Sequence, residues 1–415
     1  MSSKEYVKNF VAQSLGIPSD HADLLIIDES NIQIISSLLS GTKSNTSSQD
    51  PIIDSILSNI KEHYGDYCRK NNIPIITKCK WPYNKKFAVT LTHDSDTIEV
   101  SESHLMEVKS RFSEDDFNQA LNGKKNLYWN VDRLVDIEKK YGFNSSFYFL
   151  TSEYDLTEYK EILNNLNTSG WEISLHGGFG THNNNEKMKS DILNFKHQLG
   201  FDSLGIREHY LQFDYHVTWD ILEDNNFVYD TSLGFREHPG FMAGVSIPFH
   251  PPDKNWSTRE IIELPLIIMD TSLWGYMNLS EDEGMDIIEK FIDVIKNKEG
   301  LLTILWHQEA LLMKKGNIYP KILEKLSKEN CYVDSGIRIA TWWKDRNKSE
   351  IVLLLDKDGW HCNMKNVPTG LCIEVGNIST KPVIEGSGKI INFTDHSCTI
   401  ELSGDCVLRL SLIHI

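Results

Sequence analysis

Four short apolar runs each end in a residue fit for hydrolytic chemistry. Phe87–Thr92 leads into Asp94 and Asp96, Trp171–Leu175 into His176, Leu204–Ile206 into Arg207, and Leu301–Trp306 into His307. In Thr92-His93-Asp94-Ser95-Asp96 the two carboxylates lie two residues apart, so in an extended strand they point the same way. At the strand tip they can converge on one metal ion or one water, although Asp-x-Asp alone more often marks a solvated turn. His176 opens the run His176-Gly177-Gly178-Phe179-Gly180-Thr181-His182. Its glycines permit tight turns that would fold both imidazoles, common ligands for divalent metals, toward one point. Arg207 offers a permanent cation that keeps a neighbouring carboxylate ionised and oriented. His307 is the general-acid candidate, because an imidazole near neutral pKa can protonate a leaving amine.

Reacting groups at strand tips require strands that end on one face, the layout of an α/β barrel. From about 86 to 345, short apolar runs alternate with helical patterns: Ser146–Leu150 precedes Glu158–Leu166, and His176 precedes Glu186–Leu199. Asn130–Tyr141 reads as a helix, with Gly142 just past its end. The polar segment Thr97–Leu127 reads as an insertion after the first strand. Residues 1–80 carry helical patterns at Lys4–Leu15 and Ile52–Lys70, an apolar run at Ala22–Ile27 and a Ser/Thr/Asn-rich loop at Ser40–Asp50. This predicts a small N-terminal α/β appendage. Over 349–415 the runs Ile351–Leu355, Leu371–Val375, Lys389–Phe393, Thr399–Leu402 and Val407–Ile413 are separated by turn residues and predict an all-β module.

Composition limits the partners. The chain has 415 residues, 40% hydrophobic and 24% charged, enough for a barrel plus smaller modules. A net charge of −17 and a pI near 5.3 argue against nucleic acid or an anionic membrane as a general partner. No run has the length of an integral membrane segment, and Met1–Gly16 has no continuous apolar core of a secretory signal. The seven cysteines show no Cys-x-x-Cys spacing and read as reduced thiols, so the expected location is cytoplasmic.

Over residues 86–310 the order of motifs resembles the polysaccharide deacetylase family, carbohydrate esterase family 4, the NodB-homology domain. Thr92–Asp96 resembles its Thr/Ser-x-Asp-x-Asp motif, His176 its histidine after a strand, and Arg207 its strand-end arginine. Val228–Ser232 and Glu263–Leu266 resemble the surroundings of its fourth motif, and Ile304-Leu305-Trp306-His307 its Ile/Leu-x-x-His. The resemblance implies a distorted (β/α)7-type deacetylase barrel over 86–345. It implies Asp94 as base, oriented by Arg207, His307 as acid, and Asp96 and His176 as ligands of one divalent metal. Zinc is expected there, or cobalt, nickel or iron, with no organic cofactor. The family's second histidine ligand falls four residues after the first, where this chain has Gly180. His182 is taken as the replacement ligand, with His209 as a substitute or a substrate contact. Tyr210, Asp230 and Trp306 are the other expected substrate contacts; Phe179, Tyr210, Phe213, Trp274 and Trp306 include aromatics able to stack on a sugar ring. The implied reaction removes an N-acyl group, acetyl first, from a small-molecule or lipid-linked amino sugar in cytosolic glycan biosynthesis. Alternatives are a catalytically degenerate carbohydrate-binding protein, or a metal-independent amidohydrolase of the deformylase or cyclic-ureide type on the same barrel.

Overall fold

The computed structural model describes residues 1–43, 45, 48–357 and 359–410. The loop at Ser40–Asp50 and the end of the Val407–Ile413 run therefore lie partly outside the described residues. The first strand of the chain, β1 (Ile75–Lys78), follows three helices, Ser3–Leu15, Glu29–Leu39 and Ile52–Lys70. The apolar run at Ala22–Ile27 is no strand; it begins in a short 3-10 turn, Ser19–Leu24.

A parallel sheet of nine strands carries the centre of the molecule. Its members are β2 (Phe87–Ser95), β3 (Ser145–Phe149), β4 (Glu172–Gly177), β5 (Gly205–Glu208), β6 (Tyr229–Asp230), β7 (Ile262–Glu263), β8 (Ile268–Met269), β9 (Leu301–Leu305) and β10 (Cys331–Val333). They are ordered β7-β6-β5-β4-β3-β2-β9-β8, with β10 on the first half of β2. The two ends of this order, β7 and β8, are separated in sequence by Leu264–Ile267 alone, so the sheet must curl back on itself. The connecting segment ties both ends, Leu264 N–H donating to the Asp230 carbonyl (2.8 Å) and Ile267 N–H to that of Thr303 (3.2 Å). β2 is buried along its whole length, as a parallel strand covered on both faces should be.

Polar side chains fill the floor of this curl. Buried Glu172 accepts from Ser146 (2.7 Å), Ser174 (2.8 Å) and Tyr229 (2.8 Å), and from the backbone N–H of Ile337 (2.9 Å) in the first turn of helix Gly336–Lys348. A carboxylate at a helix N-terminus is stabilised by the helix dipole and anchors that helix under the sheet.

An antiparallel sheet follows: β11 (Glu350–Asp356), β12 (Gly359–Lys365), β13 (Cys372–Gly376), β14 (Val383–Phe393) and β15 (Ser397–Leu410). Strand β1 joins it by pairing with β13, from Ile75 opposite Gly376 to Lys78 opposite Ile373. Strands from the first 80 residues and from 350–410 thus share one sheet, and buried apolar residues from both regions continue into the core under the parallel sheet. Segment 97–127 folds as helices Glu102–Val108 and Glu114–Leu121 over a cluster of its own, including Leu105, Phe112, Phe117 and Tyr128. No helix among the described residues is long and apolar enough to cross a membrane.

Candidate active site

Strand periodicity divides β2 between two tasks. Thr92 and Asp94 face the inside of the curl, where the Thr92 hydroxyl accepts from Arg207 Nη2 at 3.0 Å. His93 faces the other way and is clamped between the Trp306 carbonyl (2.7 Å) and Glu138 (2.8 Å) of helix Val131–Lys139. Tyr319, Ser145 and Trp171 also donate to Glu138, so a buried network fixes the backbone between Thr92 and Asp94 from behind. Gln308, buried beside it, receives the Asn130 N–H (2.9 Å) and donates to the Ser95 hydroxyl.

Parallel register then brings the other groups to the same edge. His176 on β4 lies opposite Arg207 on β5. Its Nδ1 is 2.8 Å from the Arg207 carbonyl, an acceptor only, so Nδ1 carries the proton and donates. Nε2 faces Asp96 Oδ1 at 3.2 Å and Asp94 Oδ2 at 3.8 Å. His209 Nε2 lies 3.5 Å from the same Asp96 oxygen, and its ring meets that of His176 edge-on. Asp94 is buried; its Oδ1 has no hydrogen-bond partner among the described residues and sits 3.7 Å from Arg207 Nη1. Arg207 itself is wholly buried, over the Tyr148 ring and bonded to Thr92 and Thr231.

His307 stands at the end of β9. Its Nδ1 is 2.7 Å from Asp270 Oδ1, and its backbone N–H donates to Asp270 Oδ2 at 2.8 Å. Burial opposes the charged imidazole, but the Asp270 carboxylate outweighs it and raises the His307 pKa well above the ordinary value. His176 is likewise raised, burial being outweighed by Asp94 and Asp96. Burial opposes the Asp96 carboxylate, but His176 and His209, with His307 beyond them, hold it far below the usual carboxylate range.

Asp96, His176 and His209 each offer a ligand atom, all within 4.8 Å of one another. His209 Nε2 is buried without a hydrogen-bond partner among the described residues, and the bond from His176 Nδ1 to the Arg207 carbonyl turns the other ring nitrogen, Nε2, toward Asp96. One carboxylate and two imidazoles suit zinc or another borderline divalent ion, so the residues fit such a metal.

His182 is not in this group. Gly177 and Gly178 explain the path of its loop: a Cβ on Gly177 would lie 2.5 Å from Glu208 Oε2, and one on Gly178 2.6 Å from Asp191 Oδ2. Asp191 also accepts the Gly178 N–H (2.9 Å), and the chain turns at Gly180 (φ 83°) into a short 3-10 segment, Thr181–Asn183. His182 ends beside Leu211, Phe213 and Arg236, at a separate cavity of about 380 Å³. His209 stands beside Asp96 instead, just before two non-glycine residues of positive φ, Tyr210 (59°) and Leu211 (49°), which reverse the chain sharply. Tyr210 stacks on His209 at 4.0 Å and is 58% exposed, a rim position. Asp230 and Trp306 are wholly buried. The first accepts from Ser232 behind Arg207, and the second stacks on Tyr319, so neither presents a face to a substrate. Asp270 escaped the sequence reading, although it directly follows the apolar run Leu266–Met269, the same signal that marked the other strand tips.

No protein-family model matches the chain, and no curated protein does. Among solved structures it is similar to a putative polysaccharide deacetylase from Mycobacterium smegmatis, at 14% identity and TM-score 0.48 over 67% of this chain and 96% of that one. It is also similar to Puue allantoinase, at 14% and 0.49 over 64% and 93%. A third is a probable polysaccharide deacetylase from Pseudomonas aeruginosa PAO1, at 13% and 0.46 over 64% and 93%.

Proposed function

We propose that this protein is a metal-dependent amide hydrolase of the polysaccharide deacetylase type, which removes an N-acyl group, acetyl first, from an amino sugar. One observation carries the reading: a buried carboxylate paired with an arginine, a carboxylate–imidazole–imidazole trio and a carboxylate-backed imidazole meet at one edge of one sheet. Asp96, His176 and His209 would hold the ion, with His209 in the place first expected for His182. Such an ion acts as a Lewis acid, acidifying water and polarising a carbonyl oxygen.

The chain's own groups supply the proton traffic. Asp94, whose Oδ2 faces His176, accepts a proton from the attacking water, and Arg207 beside Oδ1 aims that carboxylate beforehand. As the water oxygen bonds to the acyl carbon and the C–N bond breaks, His307 Nε2 gives its proton to the departing nitrogen. Asp270 holds Nδ1, which leaves Nε2 as the delivering atom and favours the protonated ring at neutral pH. A carboxylate and a free amine result. Exposed Tyr210 is suited to pack against a sugar ring at the rim.

The test is release of acetate from N-acetylated mono- and oligosaccharides by the zinc-loaded protein, with the free amine counted in parallel. Equimolar acetate and amine are expected, and Asp94→Asn should lower turnover by roughly 10²–10⁴-fold with folding retained. Metal-loaded protein that releases no acyl group from any such sugar contradicts the reading.

A further inference from the structure

Beside His307 lies a cavity of about 480 Å³ that the hydrolytic groups only partly line. In a chain with 59 acidic against 42 basic residues, it is lined by three cations, Arg111, Lys314 and Lys315. None of the three has a carboxylate partner within ion-pair distance among the described residues, and Arg111 has no side-chain hydrogen bond. Two acids share the cavity. Asp270 is committed to His307, and burial pushes the Glu309 carboxyl up to about 7.

The cations are also placed jointly. Arg111 belongs to the helical segment inserted after β2, and the lysines to the loop after β9. The two are stitched by an antiparallel bridge of Phe112 to Met313, by Lys314 N–H on the Arg111 carbonyl (2.9 Å), and by Lys314 Nζ on that of Ser110 (3.0 Å). Lys315 is braced by the Leu279 carbonyl (2.6 Å). Trp274 adds a wall whose buried indole N–H has no hydrogen-bond partner among the described residues.

We propose that this cavity binds a phosphate ester on the substrate, so that the amide presented to His307 belongs to a phosphorylated N-acyl amino sugar. This rests on the hydrolase reading above and narrows it to one substrate class. A phosphoryl monoester carries more than one negative charge over three acceptor oxygens, so it can engage several cations at once where a carboxylate offers one charge and two oxygens.

Binding and turnover test it separately. Inorganic phosphate and pyrophosphate are titrated calorimetrically into chelator-stripped protein, so that no metal competes for them. Affinity is expected to fall at least about ten-fold in Arg111→Ser/Lys314→Ser/Lys315→Ser and to weaken with salt, while Asp96→Asn leaves it in place. Arg111→Ser alone, which breaks no bond of the fold, should show a smaller loss. Equal binding by wild type and the triple variant, loss in Asp96→Asn instead, or equally tight glucuronate binding overturns the proposal. In turnover, kcat/KM for N-acetylglucosamine 1-phosphate should exceed that for N-acetylglucosamine by at least about ten-fold, and the triple variant should erase the ratio. A glycosyl phospholipid in vesicles, run beside the soluble ester, assigns the phosphate to a lipid-linked or a soluble substrate. Equal turnover of phosphorylated and neutral sugar overturns the phosphate inference and leaves the hydrolase. Cation-dependent phosphate binding without turnover of any sugar leaves the pocket and overturns the hydrolase.

Discussion

Asp270 sets both the direction and the charge of His307. Replacing it with Asn keeps a neutral partner at Nδ1 but removes the negative charge that overcomes burial. The His307 pKa should then fall, and the alkaline limb of the kcat/KM profile should move to lower pH, with KM less affected than kcat; an unmoved limb would separate His307 from the acid role. The same pair ties stability to pH. The folded pKa of His307 lies above its unfolded value, so its contribution is complete below about 6.5 and is lost as pH rises through the folded pKa. Denaturant midpoints of wild type should therefore decline over that window more than those of Asp270→Asn. At this scale apolar runs located the strand ends at which Asp94, His176, Arg207 and His307 stand, while Asp270, after the run Leu266–Met269, was missed. The sequence misdirected for His182, because spacing along a glycine loop does not reveal that buried Glu208 and Asp191 turn the loop away.

The loop after β4 is where an element depends on glycine. Thr181 donates to Glu208, whose carboxyl burial pushes well above the usual range, and Gly177 leaves the room for that contact. Gly177→Ala should cost roughly 1–3 kcal/mol in urea unfolding and reduce metal affinity, because the crowded carboxyl sits one residue from both Arg207 and His209. Unchanged stability would show that Glu208 can move aside freely. Elements were legible where a strong pattern ran unbroken. The helical reading of Lys4–Leu15 corresponds to helix Ser3–Leu15, and that of Ile52–Lys70 to a helix with the same bounds. Two-residue strands such as β7 and β8 leave no periodicity to read, yet they determine where the sheet curls and where Asp270 stands.

Across the whole molecule, the segments at the two ends of the chain are joined beneath the curled parallel sheet. Buried Arg346 donates to the carbonyls of Cys79 (2.8 Å), Gln13 (2.9 Å) and Lys78 (3.1 Å), and Lys78 Nζ donates to those of Arg346 (2.9 Å) and Ser349 (2.7 Å). Arg346→Met would strand several buried acceptors and should lower unfolding free energy by about 3 kcal/mol. Tryptophan fluorescence from the core and circular dichroism of the sheets should shift together, since β1 links them. Composition shifts cannot disclose such long-range pairing: β1 is four residues with an ordinary strand pattern, and its partner β13 lies some 300 residues away.

The central claim is that Asp96, His176 and His209 form one metal site. Zinc content after reconstitution and desalting, measured by elemental analysis on wild type, Asp96→Ala, His176→Ala, His209→Ala and His182→Ala, tests it most directly. One equivalent in wild type and in His182→Ala, with loss in the other three, is the predicted result. Retention in His209→Ala together with loss in His182→Ala would contradict it.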